Sequence, residues 1–205
     1  MTEFNYEKSV FINCPFDEEY NSLFEAVVFT VHDCGFVARC SKEINDSSQV
    51  RAEKLFQMIA DCRYGVHDIS RTELDEKNKL PRFNMPLELG YFLGAKRFGN
   101  KKQKEKLGLI LDVEQYRYQK FCSDIAEQDI STHENNADKI IRLVRNWLND
   151  SVSDVRIPSG LKIAERYLLF EDDLPLYCRI FRKEKSELTF IDFRNMVVEW
   201  LRDNA

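Results

Sequence analysis

Short apolar runs alternate with stretches of helical spacing along the first half of the chain. The predicted strands cover residues 9–13, 36–40, 64–69 and 107–112. The predicted helices between them cover residues 17–31, 50–62 and 87–96. Each strand is a brief and mainly apolar run, and each helix has apolar residues three and four apart. Strands joined by helical crossovers must pair in parallel, so the pattern predicts an α/β fold with a Rossmann/flavodoxin-like parallel sheet flanked by helices.

The second half of the chain has a different pattern. Its predicted helices cover residues 136–148, 160–170 and 192–203. We therefore expect an α/β core over residues 1–115 and a mainly helical C-terminal region over residues 116–205. The pattern leaves open whether this region is a separate helical domain or wraps around the core.

The composition narrows the class of protein. The 205 residues are 43% hydrophobic and 32% charged, with a formal net charge of −5, which is typical of a globular chain. Lys and Arg are spread along the chain, so a nucleic-acid partner is not expected. We find neither a signal-peptide pattern nor an apolar stretch of the roughly 20 residues that span a membrane, which predicts a cytoplasmic location without membrane contact. The six cysteines form no C-x-x-C pair, so no metal site is expected.

Polar or special residues follow the predicted strands. Asn13 and Phe16 follow the first strand, Arg39 ends the second and Asp68 ends the third. Because parallel sheets bind ligands in the crevice at the carboxyl ends of their strands, these residues are candidates for a binding site. The chain has no Walker A and no G-x-G-x-x-G pattern, so we expect no cofactor.

Two carboxylates are the candidate catalytic residues. Asp68 would face the crevice, although a strand-end aspartate can equally cap a loop. Glu88 lies in the first turn of the third helix, where the helix dipole favours it, but its neighbours are apolar. A partly buried carboxylate can act as a nucleophile or as an acid or base. Gly90 and Gly94 lie in the same helix, at a cost of about 1 kcal/mol each, which suggests close approach to a neighbour or a ligand.

Three segments resemble a known family. They are Val10–Phe16, Asp61–Asp68 and Pro86–Lys96. Their order and spacing are similar to those of the nucleoside 2-deoxyribosyltransferase-like superfamily, whose members are flavodoxin-like relatives of TIR domains. The resemblance spans about residues 9–112. It implies cleavage of the base–sugar bond of a nucleotide, nucleoside or NAD+ by an N-glycosidase.

The resemblance also implies roles for individual residues. Glu88 matches the catalytic glutamate, and Asp68 matches the strand-end aspartate that binds or protonates the substrate. The candidate substrate-binding residues are Asn13, Pro15, Phe16, Arg39, Ser70, Arg71, Asn84, Met85 and His133. His133, in a polar loop, is more commonly a turn or cap residue. Similar enzymes complete their sites across subunits, so a homo-oligomer is expected, and attached helices suggest a bacterial defence effector.

The chain departs from the family pattern in two places. Phe11 stands near the position of a tyrosine of the first strand, and Arg82-Phe83-Asn84 occupies the place of an aspartate. The missing second carboxylate keeps two alternatives open. One is a module that senses a nucleotide without cleaving it, and the other is a TIR-like assembly module.

Overall fold

The protein is built on one parallel sheet. The computed structural model describes residues 5–43, 48–72, 74, 79–125, 127–153 and 156–205. All five strands of the sheet pair in parallel, in the order β2-β1-β3-β4-β5, which is the flavodoxin-like order. The strands are β1 Ser9–Asn13, β2 Val37–Arg39, β3 Tyr64–Asp68, β4 Leu107–Asp112 and β5 Ile130–Thr132. The predicted α/β fold is confirmed.

Seven α-helices accompany the sheet in the described part of the chain. They are α1 Asn21–Asp33, α2 Arg51–Ala60, α3 Asn84–Phe98, α4 Lys101–Lys104, α5 Ala137–Asp150, α6 Gly160–Phe181 and α7 Phe190–Asp203. Several helix bounds differ from the prediction, and the largest difference is at the end of α6, which was predicted at residue 170. α6 continues past Pro175, a residue that usually ends a helix, and α7 begins earlier because Thr189 and Asp192 form a capping box. Within the described ranges, none of these helices combines the length and apolar composition needed to cross a membrane.

Strand alternation assigns the helices to two faces. In β1, Val10 and Ile12 point to the face that α1 and α5 cover, whereas Phe11 points to the face of α2 and α3. Every residue of β1 and β3 is buried, as expected for strands that are covered on both faces.

The C-terminal helices pack on the outside of α1. The ring of Phe29 in α1 lies 5.3 Å from that of Phe170 in α6 and 5.7 Å from that of Trp200 in α7, between centroids. The apolar core is therefore continuous from the sheet through α1 and α5 to α6 and α7. The sheet also continues further along the chain than the sequence predicts, since β5 lies beyond residue 115.

Candidate functional site

A cleft opens at the carboxyl end of β1. In the strand order 2-1-3-4-5, the connections reverse direction between β1 and β3, and this switch point is where such sheets bind ligands. The cleft has a volume of about 360 Å³. It is lined by Asn13, Cys14, Pro15, Phe16, Arg51, Arg82, Asn84, Met85 and Glu88. The structure thus brings together six of the predicted site residues, namely Asn13, Pro15, Phe16, Asn84, Met85 and Glu88.

Glu88 is the only carboxylate among the described residues that line this cleft. It is half-buried on α3, one turn beyond the start of the helix at Asn84. Burial raises the pKa of Glu88 because the charged form loses water, and the nearby positive charge of Arg51 partly offsets this effect. A carboxylate in this setting is poorly solvated and accessible, as a nucleophile or an acid–base group requires.

Asn13 forms part of the cleft floor and is held rigidly. Its Nδ2 donates to the Met85 carbonyl oxygen at 2.9 Å and lies 3.2 Å from His67 Nδ1. Burial lowers the pKa of His67 to about 3, so its ring is neutral and Nδ1 can accept from the amide. Both protons of the amide are then committed. Oδ1 of Asn13 remains as the acceptor that faces a ligand.

The floor beneath Asn13 depends on a glycine. His67 packs against Phe92 of α3 with ring centroids 4.6 Å apart. A Cβ atom on Gly65 would lie 2.5 Å from His67 Nε2 and 2.7 Å from Phe92 Cε2, which no ordinary contact allows. Gly65 therefore lets α3 approach the sheet closely enough to place Glu88 beside Asn13.

Asp68 lies in a closed cluster and not in the cleft. Tyr20 Oη donates to its Oδ2 at 2.7 Å, and the Ser70 backbone N–H donates to its Oδ1 at 2.8 Å. His133 Nε2 is 3.0 Å from Oδ2, although its N–H is not aligned for a straight hydrogen bond. All four residues are buried, and burial and the charge of Asp68 raise the pKa of Tyr20, so the phenol stays protonated as a donor.

The strand register explains why Asp68 and Glu88 are separated. Asn13 pairs with His67, so these two side chains lie on the same face of the sheet, the face of α3. Asp68 follows His67 and points to the opposite face, towards Tyr20 at the start of α1. The sequence predicts that Asp68 faces the crevice; in the structure Asp68 accepts from Tyr20 and the Ser70 N–H, and it is not among the residues that line the cleft with Glu88. Ser70 and His133 belong to its cluster.

Arg39 and Arg71 also lie outside the cleft. Arg39 is buried in an ion pair with Glu43, whose other oxygen is 2.6 Å from Arg194 of α7. Arg71 pairs with Glu19 at 2.7 Å. These two predicted binding residues therefore join elements of the fold and do not face a ligand in the cleft.

The sequence analysis missed three residues of the cleft. Arg51 is the first residue of α2 and Arg82 lies just before α3, and neither position is a strand end. Burial raises the pKa of the third residue, Cys14, well above that of a free thiol, with the charge of Asp68 adding to the effect. Cys14 is therefore a neutral thiol and a poor nucleophile. A cation at a helix N-terminus is electrostatically unfavourable, and this was the available signal for Arg51.

A second groove is larger and lies beside the cleft, at the start of α1. Its volume is about 600 Å³, and its walls come from α1, Lys42 and the segment from Lys185 to Phe193. Phe16 and Glu25 belong to its lining, and Phe16 also borders the cleft. We favour the smaller cleft as the functional site because it combines the switch point with Glu88 and a fixed amide.

No family model, curated protein or solved structure matches the chain.

Proposed function

We propose that the protein is an N-glycosidase that cleaves the base–sugar bond of a nucleotide, a nucleoside or NAD+. The observation that carries this proposal is the half-buried carboxylate of Glu88, with its raised pKa, in a cleft at the switch point of a flavodoxin-like sheet. The resemblance of three segments to the nucleoside 2-deoxyribosyltransferase-like superfamily supports the same chemistry. Fold and geometry alone fit many activities, so the chemistry rests on Glu88.

The reaction uses Glu88 as the nucleophile. A carboxylate oxygen bonds to the anomeric carbon while the bond to the base nitrogen breaks, and the electron pair leaves with the base. A purine or pyrimidine anion then takes a proton from water and leaves hydroxide, whereas the nicotinamide of NAD+ leaves as a neutral molecule. A water molecule then attacks the anomeric carbon of the glycosyl ester, which releases the sugar and restores the carboxylate. The proton of this water goes to the hydroxide left by the first step or, with NAD+, to the solvent. The oxocarbenium-like transition state is positive, and the poorly solvated carboxylate of Glu88 stabilises it.

The cleft walls can hold a base and a sugar. Phe16 is half-buried with its ring edge-to-face on Phe24 at 5.3 Å, while Lys42 Nζ lies 4.6 Å from the ring centroid. These contacts fix the ring that borders the cleft, so it can pack against a planar base. Asn13 Oδ1 accepts a hydrogen bond from a sugar hydroxyl or a base N–H.

Base release tests the proposal. The wild-type protein and Glu88→Gln are incubated with NAD+ and a panel of nucleosides and nucleotides, and free base is followed by chromatography. We expect release by the wild type and at least ~100-fold less by Glu88→Gln, since the amide cannot act as nucleophile.

Glu25→Gln is the matched control. Glu25 is also half-buried with a pKa raised by burial, but it lines the other groove. The variant should keep wild-type turnover. Equal activity of the wild type and Glu88→Gln on a cleaved substrate would contradict the role of Glu88.

Nucleotide sensing without cleavage is the second candidate. The observation that favours it is the absence of a second carboxylate beside Glu88 among the described residues of the cleft. Under this reading, the wild type binds a nucleotide and releases no base, and Glu88→Gln leaves the affinity largely unchanged. If the protein is instead a TIR-like assembly module, we expect it to bind no ligand in the cleft, and Glu88→Gln should have no effect.

We also propose a homo-oligomer that works in the cytoplasm, where a defence effector would meet nucleotides. α6 exposes Leu161, Leu168, Leu169, Leu176 and Ile180, an apolar surface that a second copy could cover. The six cysteines are all free thiols, which suits a reducing compartment. The mass in solution tests the assembly: a dimer or larger species is expected, and a strict monomer at micromolar concentration would exclude it.

A further inference from the structure

We infer that the substrate carries a phosphate, which binds at the mouth of the cleft between Arg51 and Arg82. The inference rests on the proposed function and narrows its substrate class to a nucleoside phosphate ester. Both arginine side chains line the cleft, and both residues are exposed. The described cleft lining carries these two guanidinium groups and one carboxylate, that of Glu88. Arg82 Nη1 also lies 3.3 Å from Asp17 Oδ2, whereas Arg51 has no ion-pair partner among the described residues. A phosphate suits the planar donor geometry of a guanidinium group.

Arg51 is the clearest sign of an anionic ligand. It is the first residue of α2, where the positive end of the helix dipole disfavours a cation. In the described part of the chain it forms no hydrogen bond or ion pair, and its charge acts on Glu88. A cation that costs helix stability and lines a cleft is better explained by a ligand than by the fold.

The start of α3 adds further donors at the same place. Asn84 and Met85 are the first residues of a 15-residue helix, and their N–H groups lie before the first intrahelical bond. Phe83, at the N-cap, has no polar side chain to satisfy them. Helix N-termini of this kind bind phosphates through backbone N–H groups and the helix dipole.

Donors and acceptors are segregated within the cleft. The acceptors, Asn13 Oδ1 and the Glu88 carboxylate, lie on the buried and half-buried side. The donors, Arg51 and Arg82, are on the exposed residues of the mouth. Asn13 is only 2% exposed and its amide nitrogen is already committed, so its oxygen is the atom of this side chain that is left to accept from a ligand. This polarity orients a nucleoside phosphate with its sugar hydroxyls inward and its phosphate outward.

Binding measurements on the full chain with Glu88→Gln test the inference without turnover. The probes are the nucleoside 5′-monophosphates, the matching nucleosides, NAD+ and inorganic phosphate. We expect at least one monophosphate or NAD+ to bind ~10-fold or more tightly than its nucleoside, with an advantage that shrinks as salt rises. Comparing monophosphate with NAD+ separates a terminal phosphate from a pyrophosphate.

Arg51→Ala on the same background should remove most of that advantage and leave nucleoside affinity within twofold. Lys54→Ala is the matched control, since it deletes one positive charge from the same helix without touching the cleft lining. Equal affinity for a nucleoside and its phosphate, or no binding of any phosphate at millimolar concentration, overturns the inference.

Base release separates this inference from the proposed function. Release by the wild type from nucleosides alone would remove the phosphate site and keep the glycosidase. Binding that depends on phosphate and Arg51, without release of any base, would keep the site and remove the glycosidase.

Discussion

The two sides of the sheet's carboxyl edge are built in opposite ways. On the α3 side, the carboxylate of Glu88 is half-buried and borders a cleft, and Arg51 lies nearby as a cation without an ion-pair partner in the described residues. On the α1 side, Asp68 is fully buried and receives Tyr20 and the Ser70 N–H. The charged groups on the α3 side therefore border the cleft, whereas the carboxylate on the α1 side is bonded to neighbouring residues of the protein.

The sequence analysis predicts that Asp68 and Glu88 are both catalytic, but the two carboxylates have different surroundings. A buried carboxylate with its donors in place stabilises the structure, and losing it leaves those donors unpaired. A half-buried carboxylate that lines a cleft is less stabilised by the protein and therefore more reactive. We infer that Glu88 performs the chemistry and that Asp68 positions Tyr20, Ser70 and His133 behind it.

Removing Asp68 should give the largest effect on stability. Asp68→Ala leaves the Tyr20 hydroxyl and the Ser70 N–H buried without their acceptor, so we expect a loss of about 3 kcal/mol in the free energy of unfolding. Urea unfolding followed by circular dichroism measures it.

Glu88→Gln serves as the comparison. Because burial raises the pKa of Glu88, its ionised form lowers stability above that pKa, and the neutral amide should not destabilise the fold. A stable Asp68→Ala would show that the cluster does not support the fold.

The glycine beneath the cleft should give the next largest effect. Gly65→Ala places a methyl group against His67 and Phe92, so α3 must shift, and overpacking of this kind costs about 2 kcal/mol. Gly90→Ala is the control on α3, because a Cβ there meets no atom within 4 Å. Alanine is the better helix former, so Gly90→Ala should stabilise by up to about 1 kcal/mol. Thermal unfolding distinguishes the two, and similar shifts would contradict the close approach at Gly65.

The smallest effect is a shift in pH dependence. Under the proposed mechanism Glu88 must be ionised to attack, so we expect base release above its pKa and a loss of release as the pH falls through it. Arg51 holds that pKa down, and its loss should raise the pKa further. We therefore expect Arg51→Ala to move the acidic limb of the kcat/KM profile to higher pH. Lys54→Ala should leave the limb in place, and a shift to lower pH in Arg51→Ala would contradict the assignment.

Local patterns predict most of the sheet and part of the site. The apolar runs of β1, β3 and β4 are strong because both of their faces are covered, and Asn13 and Glu88 were found from strand ends and the start of a helix. β5 was missed because Ile130–Thr132 is three half-buried residues with two hydroxyl side chains. The pattern of so short a strand is set by its neighbours and not by its own sequence.

The differences between the predicted site residues and the residues that line the cleft have a common origin in side-chain direction. Alternation shows that His67 and Asp68 point to opposite faces, but it does not show which face holds the cleft. That face is fixed by α3, which meets the sheet over Gly65 and Gly108 through Phe92. Arg51 is the first residue of α2, which follows β2 in the chain, and it lines the cleft at the end of β1. Such a position depends on tertiary packing and leaves only a weak local signal.

The most direct test of this account is base release per folded molecule by Asp68→Asn and Glu88→Gln, measured on the substrate that the wild type cleaves best. The account predicts that Asp68→Asn, assayed where it is folded, keeps turnover within about tenfold of the wild type, whereas Glu88→Gln loses at least ~100-fold. A folded Asp68→Asn that loses as much as Glu88→Gln would contradict the division of roles. Turnover retained by Glu88→Gln would contradict the central claim itself.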